Sequence, residues 1–275
     1  MLGKRIATAV IGALATVFLV HYGQGVFAVA TLIFTVLAWH EFCNMLRKQD
    51  IKGAYLLGIC IIVLIWGTAW LGNSQETLGV LVAATFMIMA KTVLAHSCFT
   101  LRDGFYTIAG VLYIGLPFAH LVLLRFIDST VYLSTQMGQL QAGEIYFWLA
   151  MIGTWASDTF AFFTGSWLGK HKLAPAISPG KTWEGLAGGV FGSIVAVMIM
   201  GNLCNLYLTS SALLGLLIGI VAPLGDLAES ALKRYAGVKD SSRLLPGHGG
   251  VLDRFDSILF TVPAVYYYIV AFGLR

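Results

Sequence analysis

The acids and bases of residues 226–256 are spaced for work on phosphate. The chain has 17 Lys and Arg and 13 Asp and Glu in 275 residues, and ten of these fall in that one stretch. They are Asp226, Glu229, Lys233, Arg234, Lys239, Asp240, Arg243, Asp253, Arg254 and Asp256. Carboxylates suited to a divalent cation alternate with cations suited to phosphate. On a helix, Asp226, Glu229, Ser230 and Lys233 fall at i, i+3, i+4 and i+7 and share one face, with Leu227, Ala228, Ala231 and Leu232 elsewhere. A solvated face laced with ion pairs has the same spacing. Asp226, however, directly follows an apolar run, and an acid at that depth needs a metal or a lysine to stay ionised.

Asp253 and Asp256 repeat the i, i+3 spacing before another apolar run. Acids there also suit a helix N-terminus, but this pair follows Gly247-His248-Gly249-Gly250 and is flanked by Arg243 and Arg254. Glycines in such a run let backbone N–H groups approach an anion. His248 lies within the same turn.

Two further features stand upstream. Ser178-Pro179-Gly180-Lys181-Thr182-Trp183-Glu184 opens an apolar run with a glycine and a lysine, an arrangement that suits an anion at a helix N-terminus. It lacks the spacing of a Walker loop. Asp158 lies among Thr154, Trp155, Ser157 and Thr159 inside a span, which makes it a functional candidate or a hydrogen-bonding residue between helices.

The elements that must position these residues are membrane helices. The chain is 58% hydrophobic and 11% charged with a mean hydropathy of +0.83, outside the range of soluble domains. Apolar runs cover residues 6–20, 26–39, 54–71, 77–95, 104–124, 145–164, 185–208, 211–225 and 257–274. This predicts an all-α, polytopic integral membrane protein with about nine transmembrane helices. It forms a single membrane domain, in which residues 1–143 are lipid-facing scaffold and residues 144–275 carry the site.

With the N-terminus in the cytoplasm, nine crossings place 15 Lys and Arg residues inside and only Arg125 and Arg275 outside. That orientation brings residues 226–256 to the cytoplasmic face. Lys4, Arg5 and the following apolar run resemble a secretion signal, but Ala28-Val29-Ala30 falls inside the next apolar run, so a retained helical hairpin is expected. Cys43, Cys60, Cys98 and Cys204 stand singly, without metal-ligand spacing. The polar stretch 127–143 reads as a surface loop or an interfacial helix, and His40-Glu41 and Lys91 read as side chains snorkelling to the headgroups. The net charge of +4 follows from the positive-inside bias and gives no indication of nucleic acid.

From Ser230 to Asp256 the chain resembles the phosphatidate cytidylyltransferases, also called CDP-diacylglycerol synthases. Ser230, Lys233, Arg234, Lys239, Asp240, Pro246, Gly247, His248, Gly249, Gly250, Asp253, Arg254 and Asp256 match the family signature. Leu224-Gly225-Asp226 and residues 171–183 are also similar to bacterial members. The resemblance implies a helical enzyme of the bacterial cytoplasmic membrane that makes CDP-diacylglycerol and pyrophosphate from CTP and phosphatidic acid. It further implies Mg²⁺ in a two-metal centre that can include K⁺. Asp226 and Asp253 would be metal ligands with Asp256 beside them, and Lys233 and His248 would join these acids in catalysis. Ser178, Lys181, Ser230, Arg234, Lys239, Arg243, Gly249, Gly250 and Arg254 would hold substrate phosphates, and Asp158 is a further candidate. The expected partners are CTP, phosphatidic acid and the bilayer, with a homodimer as candidate assembly.

Two other readings compete. A cation-coupled transporter would use Asp158 and Asp226 as ion sites, but it predicts interrupted helices and an internal repeat, and the sequence has no such repeat. A nucleotidyltransferase acting on another lipid phosphate would carry the same polar residues, because lipid choice rests on the shape of an apolar groove.

Overall fold

The structure, a computed structural model, describes residues 2–72, 74–244 and 249–274, with backbone alone for residues 2–9, Gln24 and Ser74. His248, Pro246, Gly247 and Arg275 lie outside the described residues. In chain order the elements are α1 (Leu2–Tyr22), α2 (Gln24–Arg47), α3 (Tyr55–Trp70), α4 (Ser74–Leu94), α5 (Leu101–Gly110), a π turn (Val111–Gly115) and α6 (Leu116–Phe126). Then follow β1 (Tyr132–Thr135), β2 (Gly138–Gln141), α7 (Ala142–Leu168), β3 (Lys172–Ala174), β4 (Ser178–Thr182), α8 (Trp183–Leu203), α9 (Leu208–Tyr235), α10 (Leu252–Phe255) and α11 (Ile258–Phe272).

Each apolar run of the sequence falls on helix, and α5 and α6 continue into each other through the π turn. The protein is an all-α polytopic membrane protein. Among the described residues, five segments are long and apolar enough to cross a bilayer: Gly25–Arg47, Gln75–Leu94, Leu101–Phe126, Trp183–Leu203 and Leu208–Tyr235. Val10–Tyr22, Tyr55–Trp70 and Ile258–Phe272 are shorter apolar helices. Helix α7 has 27 residues, and its apolar run is diluted by Thr154, Ser157, Asp158 and Thr159.

The chain divides into two compact units. The first comprises residues 1–123 and 233–255. Its helices are tied by backbone donors that meet side chains: Lys52 N–H donates to Asp103 Oδ1 at 2.7 Å and Ala54 N–H to Thr107 Oγ1 at 3.0 Å. Thr100 and Asp103 form a reciprocal capping box at the start of α5, which fixes where that helix begins. Phe255, at the end of α10, packs on Phe34 and Phe118 with ring centroids 5.4 and 5.0 Å away, so α10 is pinned to α2 and α6 by aromatic contact.

The second unit comprises residues 124–232 and 256–275. Helices α7 and α8 pack closely because small residues line the crossing. A side chain at Gly188 would overlap Thr164, one at Gly192 would overlap Phe160, and one at Gly189 would come 2.9 Å from the Ser157 carbonyl. Between apolar helices in lipid such close approach supplies the packing energy that water would otherwise drive.

Two hairpins depart from the sequence reading. Residues 127–143 contain β1 and β2, paired antiparallel from Tyr132↔Gln141 to Thr135↔Gly138, rather than an unstructured loop or an interfacial helix. Gly138 turns the chain with φ +114°, and Asn205 donates to the Ser134 carbonyl at 2.8 Å, holding the hairpin against the α8–α9 turn. Residues 178–182 form β4, paired with β3 from Lys172↔Thr182 to Ala174↔Ser178. The helix begins only after Thr182, whose hydroxyl caps it by accepting Gly185 N–H at 3.1 Å. Ser178 and Lys181 therefore sit on a strand and not at a helix N-terminus.

Candidate active site

In the second unit the polar residues surround a cavity of about 400 Å³. Asp158, Ser178, Lys181 and Asp226 line it together with Phe162, Leu173 and Leu186. Lys181 reaches from the hairpin to Asp226 Oδ2 at 2.7 Å and lies 3.4 Å from the Pro223 carbonyl, so Asp226 is paired with a strand lysine. Asp226 Oδ1 accepts the Ser230 hydroxyl at 3.2 Å, one turn further along α9. Asp158 faces the open cavity, whereas its neighbour Ser157 is buried in the α7–α8 contact. Asp158 shares the lining of that cavity with Asp226 and Lys181. Asp256 stands in the turn between α10 and α11, and its backbone packs on Gly225 with no room for a side chain there. Asp158, Lys181, Asp226, Ser230 and Asp256 are thus gathered in this unit.

The first unit holds a different cluster. Lys233 Nζ lies 2.7 Å from Asp253 Oδ1, with the two side chains 13% and 6% exposed. Asp253 Oδ2 accepts Ser241 N–H, the Ser241 hydroxyl and Gly250 N–H, each at 2.8 Å. Burial would push this carboxyl up, but the Lys233 ammonium, the Gly250 amide and the Ser241 donors outweigh it and hold it at about 2. Gly249 has φ +81°, and a side chain on it would come 2.7 Å from the Asp253 carboxylate, so glycine is required for the backbone to bend this closely around the acid. Arg234, Lys239, Arg243 and Arg254 are exposed around this cluster, and the Arg234 guanidinium donates to the Val238 carbonyl at 3.1 Å.

Asp226 and Asp253, read together as metal ligands, therefore each hold a lysine, Lys181 and Lys233 respectively. Among the described residues no group of three His, Cys, Asp or Glu is gathered closely enough to hold a metal ion. The stripe on α9 also differs from a uniform polar face. Glu229 is fully buried, Ser230 turns back to Asp226, and Lys233 turns to Asp253.

Comparison with known proteins agrees along the whole chain. A profile of the cytidylyltransferase family matches residues 3–272. A phosphatidate cytidylyltransferase of Bacillus subtilis (strain 168) is 36% identical across 98% of this chain and 98% of its own length. Phosphatidate cytidylyltransferases of Staphylococcus haemolyticus (strain JCSC1435) and Staphylococcus aureus (strain COL) are each 33% identical across 94% of this chain and 95% of their own. The chain belongs to the cytidylyltransferase family.

Within this cytidylyltransferase, the sequence reading missed Glu41. Expected to snorkel to the headgroups, it is instead only 2% exposed and accepts hydrogen bonds from Ser241, Ser242, Val251 and Leu252. Its one sequence signal was a carboxylate at the end of an apolar helix, and its partners lie about 200 residues away. Ser241 and Ser242 were also missed, since serines at irregular spacing carry no pattern.

Proposed function

We propose that this cytidylyltransferase transfers CMP from CTP to phosphatidic acid, forming CDP-diacylglycerol and releasing pyrophosphate. The observation that carries this reading is the cavity. The Lys181–Asp226 pair, with Asp158 and Ser178, shares the lining of this space with Phe162, Leu173 and Leu186, a polar anchor for a headgroup beside walls suited to acyl chains. The names of the relatives across the full length point the same way.

In the reaction, a phosphate oxygen of phosphatidic acid attacks the α-phosphorus of CTP, and the bond from that phosphorus to the β-phosphate oxygen breaks. The electron pair leaves with pyrophosphate. The attacking oxygen is already anionic, so no strong general base is needed. The barrier lies in bringing two anions together and in the charge that builds on the leaving group. Lys181 supplies a cation at the cavity, and Lys233, held by Asp253, supplies another beside the Gly249–Gly250 backbone. Ser178 and Ser230 add hydroxyl donors, while Arg234, Lys239, Arg243 and Arg254 make the surrounding surface positive.

Asp226, Asp253 and Asp256 offer the hard oxygen ligands that Mg²⁺ selects, and Mg²⁺ commonly takes one or two carboxylates and completes its shell with water and substrate phosphates. The chemistry of these carboxylates suits that use, and Asp226 and Asp253 would be the ligands, with K⁺ as a second cation. When bound, these cations would neutralise phosphate charge and favour departure of pyrophosphate. In the bacterial cytoplasmic membrane, a cytoplasmic N-terminus and nine crossings would place residues 226–256 on the side where CTP is found.

Membranes enriched in the protein should convert phosphatidic acid to CDP-diacylglycerol when given CTP and Mg²⁺. No conversion above control membranes would remove the assignment.

A further inference from the structure

Glu41 lies near the C-terminal end of α2, almost wholly out of solvent, and each of its oxygens takes two donors. Oε1 accepts the Ser242 hydroxyl at 2.6 Å and Val251 N–H at 2.9 Å. Oε2 accepts Leu252 N–H at 2.9 Å and the Ser241 hydroxyl at 3.0 Å. A carboxylate has about four lone-pair sites, and these four donors reach them, with the single Ser241 hydroxyl proton shared between Glu41 and Asp253. All four are neutral, and all four come from two short stretches, 241–242 and 251–252. Gly250 completes the enclosure: a side chain there would overlap the Ser241 hydroxyl and come 2.6 Å from Glu41 Oε2.

The same stretches hold Asp253. Ser241 gives both its N–H and its hydroxyl to Asp253 Oδ2 at 2.8 Å, and Leu252 is the residue next to it in the chain. The Ser241 hydroxyl thus stands between two carboxylates, 3.0 Å from one and 2.8 Å from the other. A buried carboxylate is costly unless its donors are in place. Glu41 therefore favours the one arrangement of 241–242 and 251–252 that satisfies it, and that arrangement aims Asp253 at Lys233.

We infer that Glu41 is a positioning residue, whose carboxylate clasps the 241–242 and 251–252 stretches together and so fixes the Asp253–Lys233 pair on which the proposed transfer depends. Glu41→Gln is its sharpest probe. The side chain keeps its size, but one oxygen becomes an NH₂ group that opposes a backbone N–H, while the serine hydroxyl on that side can turn to accept from it, so at least one of the four bonds is lost.

The test compares parent, Glu41→Gln and Ser242→Ala, each purified whole in detergent. Amide hydrogen exchange at Val251 and Leu252 should accelerate about 10-fold in Glu41→Gln and less in Ser242→Ala, which removes one donor. KM for CTP should rise about 5-fold or more while KM for phosphatidic acid stays within about 2-fold. A purely structural residue would lower the thermal midpoint and the active fraction without moving these two quantities in the folded enzyme. Parental exchange at 251–252 together with a parental KM for CTP in Glu41→Gln overturns the inference. Should Glu41→Gln fail to fold, parental exchange in Ser242→Ala overturns it. If the parent itself transfers no CMP, the proposed function falls, while the exchange comparison still decides whether the clasp exists.

Discussion

Lys233 and Asp253 stand 20 residues apart in the chain and meet at 2.7 Å, both nearly out of solvent. The pair joins the end of α9 to the start of α10 and presents an ammonium beside the Gly249–Gly250 backbone. A surface ion pair would contribute little, whereas breaking a buried one by removing a single partner strands the other charge.

Lys233→Met should therefore lower kcat at least ~100-fold, because the cation proposed to meet substrate phosphate is gone and Asp253 loses its ion-pair partner. Lys233→Arg keeps the charge but replaces a compact ammonium with a wider planar fork, and should lose about 10-fold. Steady-state kinetics on purified protein measures both. A parental rate in Lys233→Met would leave this lysine as an ordinary helix end.

The Lys181–Asp226 pair should behave as one unit. Asp226→Asn preserves shape and should lower kcat at least ~100-fold. Lys181→Met should also be strongly impaired, and the double variant should be far less damaged than the product of the two single losses. Multiplicative losses would show that the two residues act independently.

Acid stability should report the Asp253 environment. A carboxyl held at about 2 in the folded protein contributes stability that is fully present above its ordinary value and is lost as pH falls toward that folded value. The loss should therefore run from about pH 4 to about pH 2, with a total on the order of 2 kcal/mol. In Lys233→Met the carboxyl loses its ammonium partner, so its folded value should move up toward the ordinary one, and the acid-dependent loss should be smaller and end at a higher pH. Thermal unfolding of metal-free protein across this range checks it. Superimposable profiles would contradict the assignment of the shift to Lys233.

Much of this architecture was legible because membrane helices announce themselves by apolar length, and each apolar run fell on a helix. The acids and lysines of residues 226–256 were legible by type and spacing, but their partners were not. Periodicity reaches only along one helix, so it put Lys233 on the same face as Asp226, whereas the fold brings Lys181 to Asp226 from a hairpin. That hairpin went unread because strands of three and five residues between long helices leave almost no pattern. Glu41 was misread for a related reason: a lone acid at a helix end looks like an interfacial residue until distant donors are seen around it.

Orientation is open to direct labelling in a cysteine-free background. Leu244→Cys should react with a membrane-impermeant thiol reagent only after cells are opened, and Met137→Cys in the β1–β2 turn should react in intact cells. Both native side chains are exposed, at 51% and 58%. The reverse pattern would put residues 226–256 away from cytoplasmic CTP.

The central claim is tested most directly by following both halves of CTP. Purified protein in detergent is given phosphatidic acid, Mg²⁺ and CTP labelled separately at the α- and γ-phosphates. The α-label should pass into a chloroform-soluble lipid and the γ-label into pyrophosphate, in equal amounts and only when phosphatidic acid is present. Retention of the α-label in water-soluble nucleotide, or release of pyrophosphate without lipid, would contradict the account.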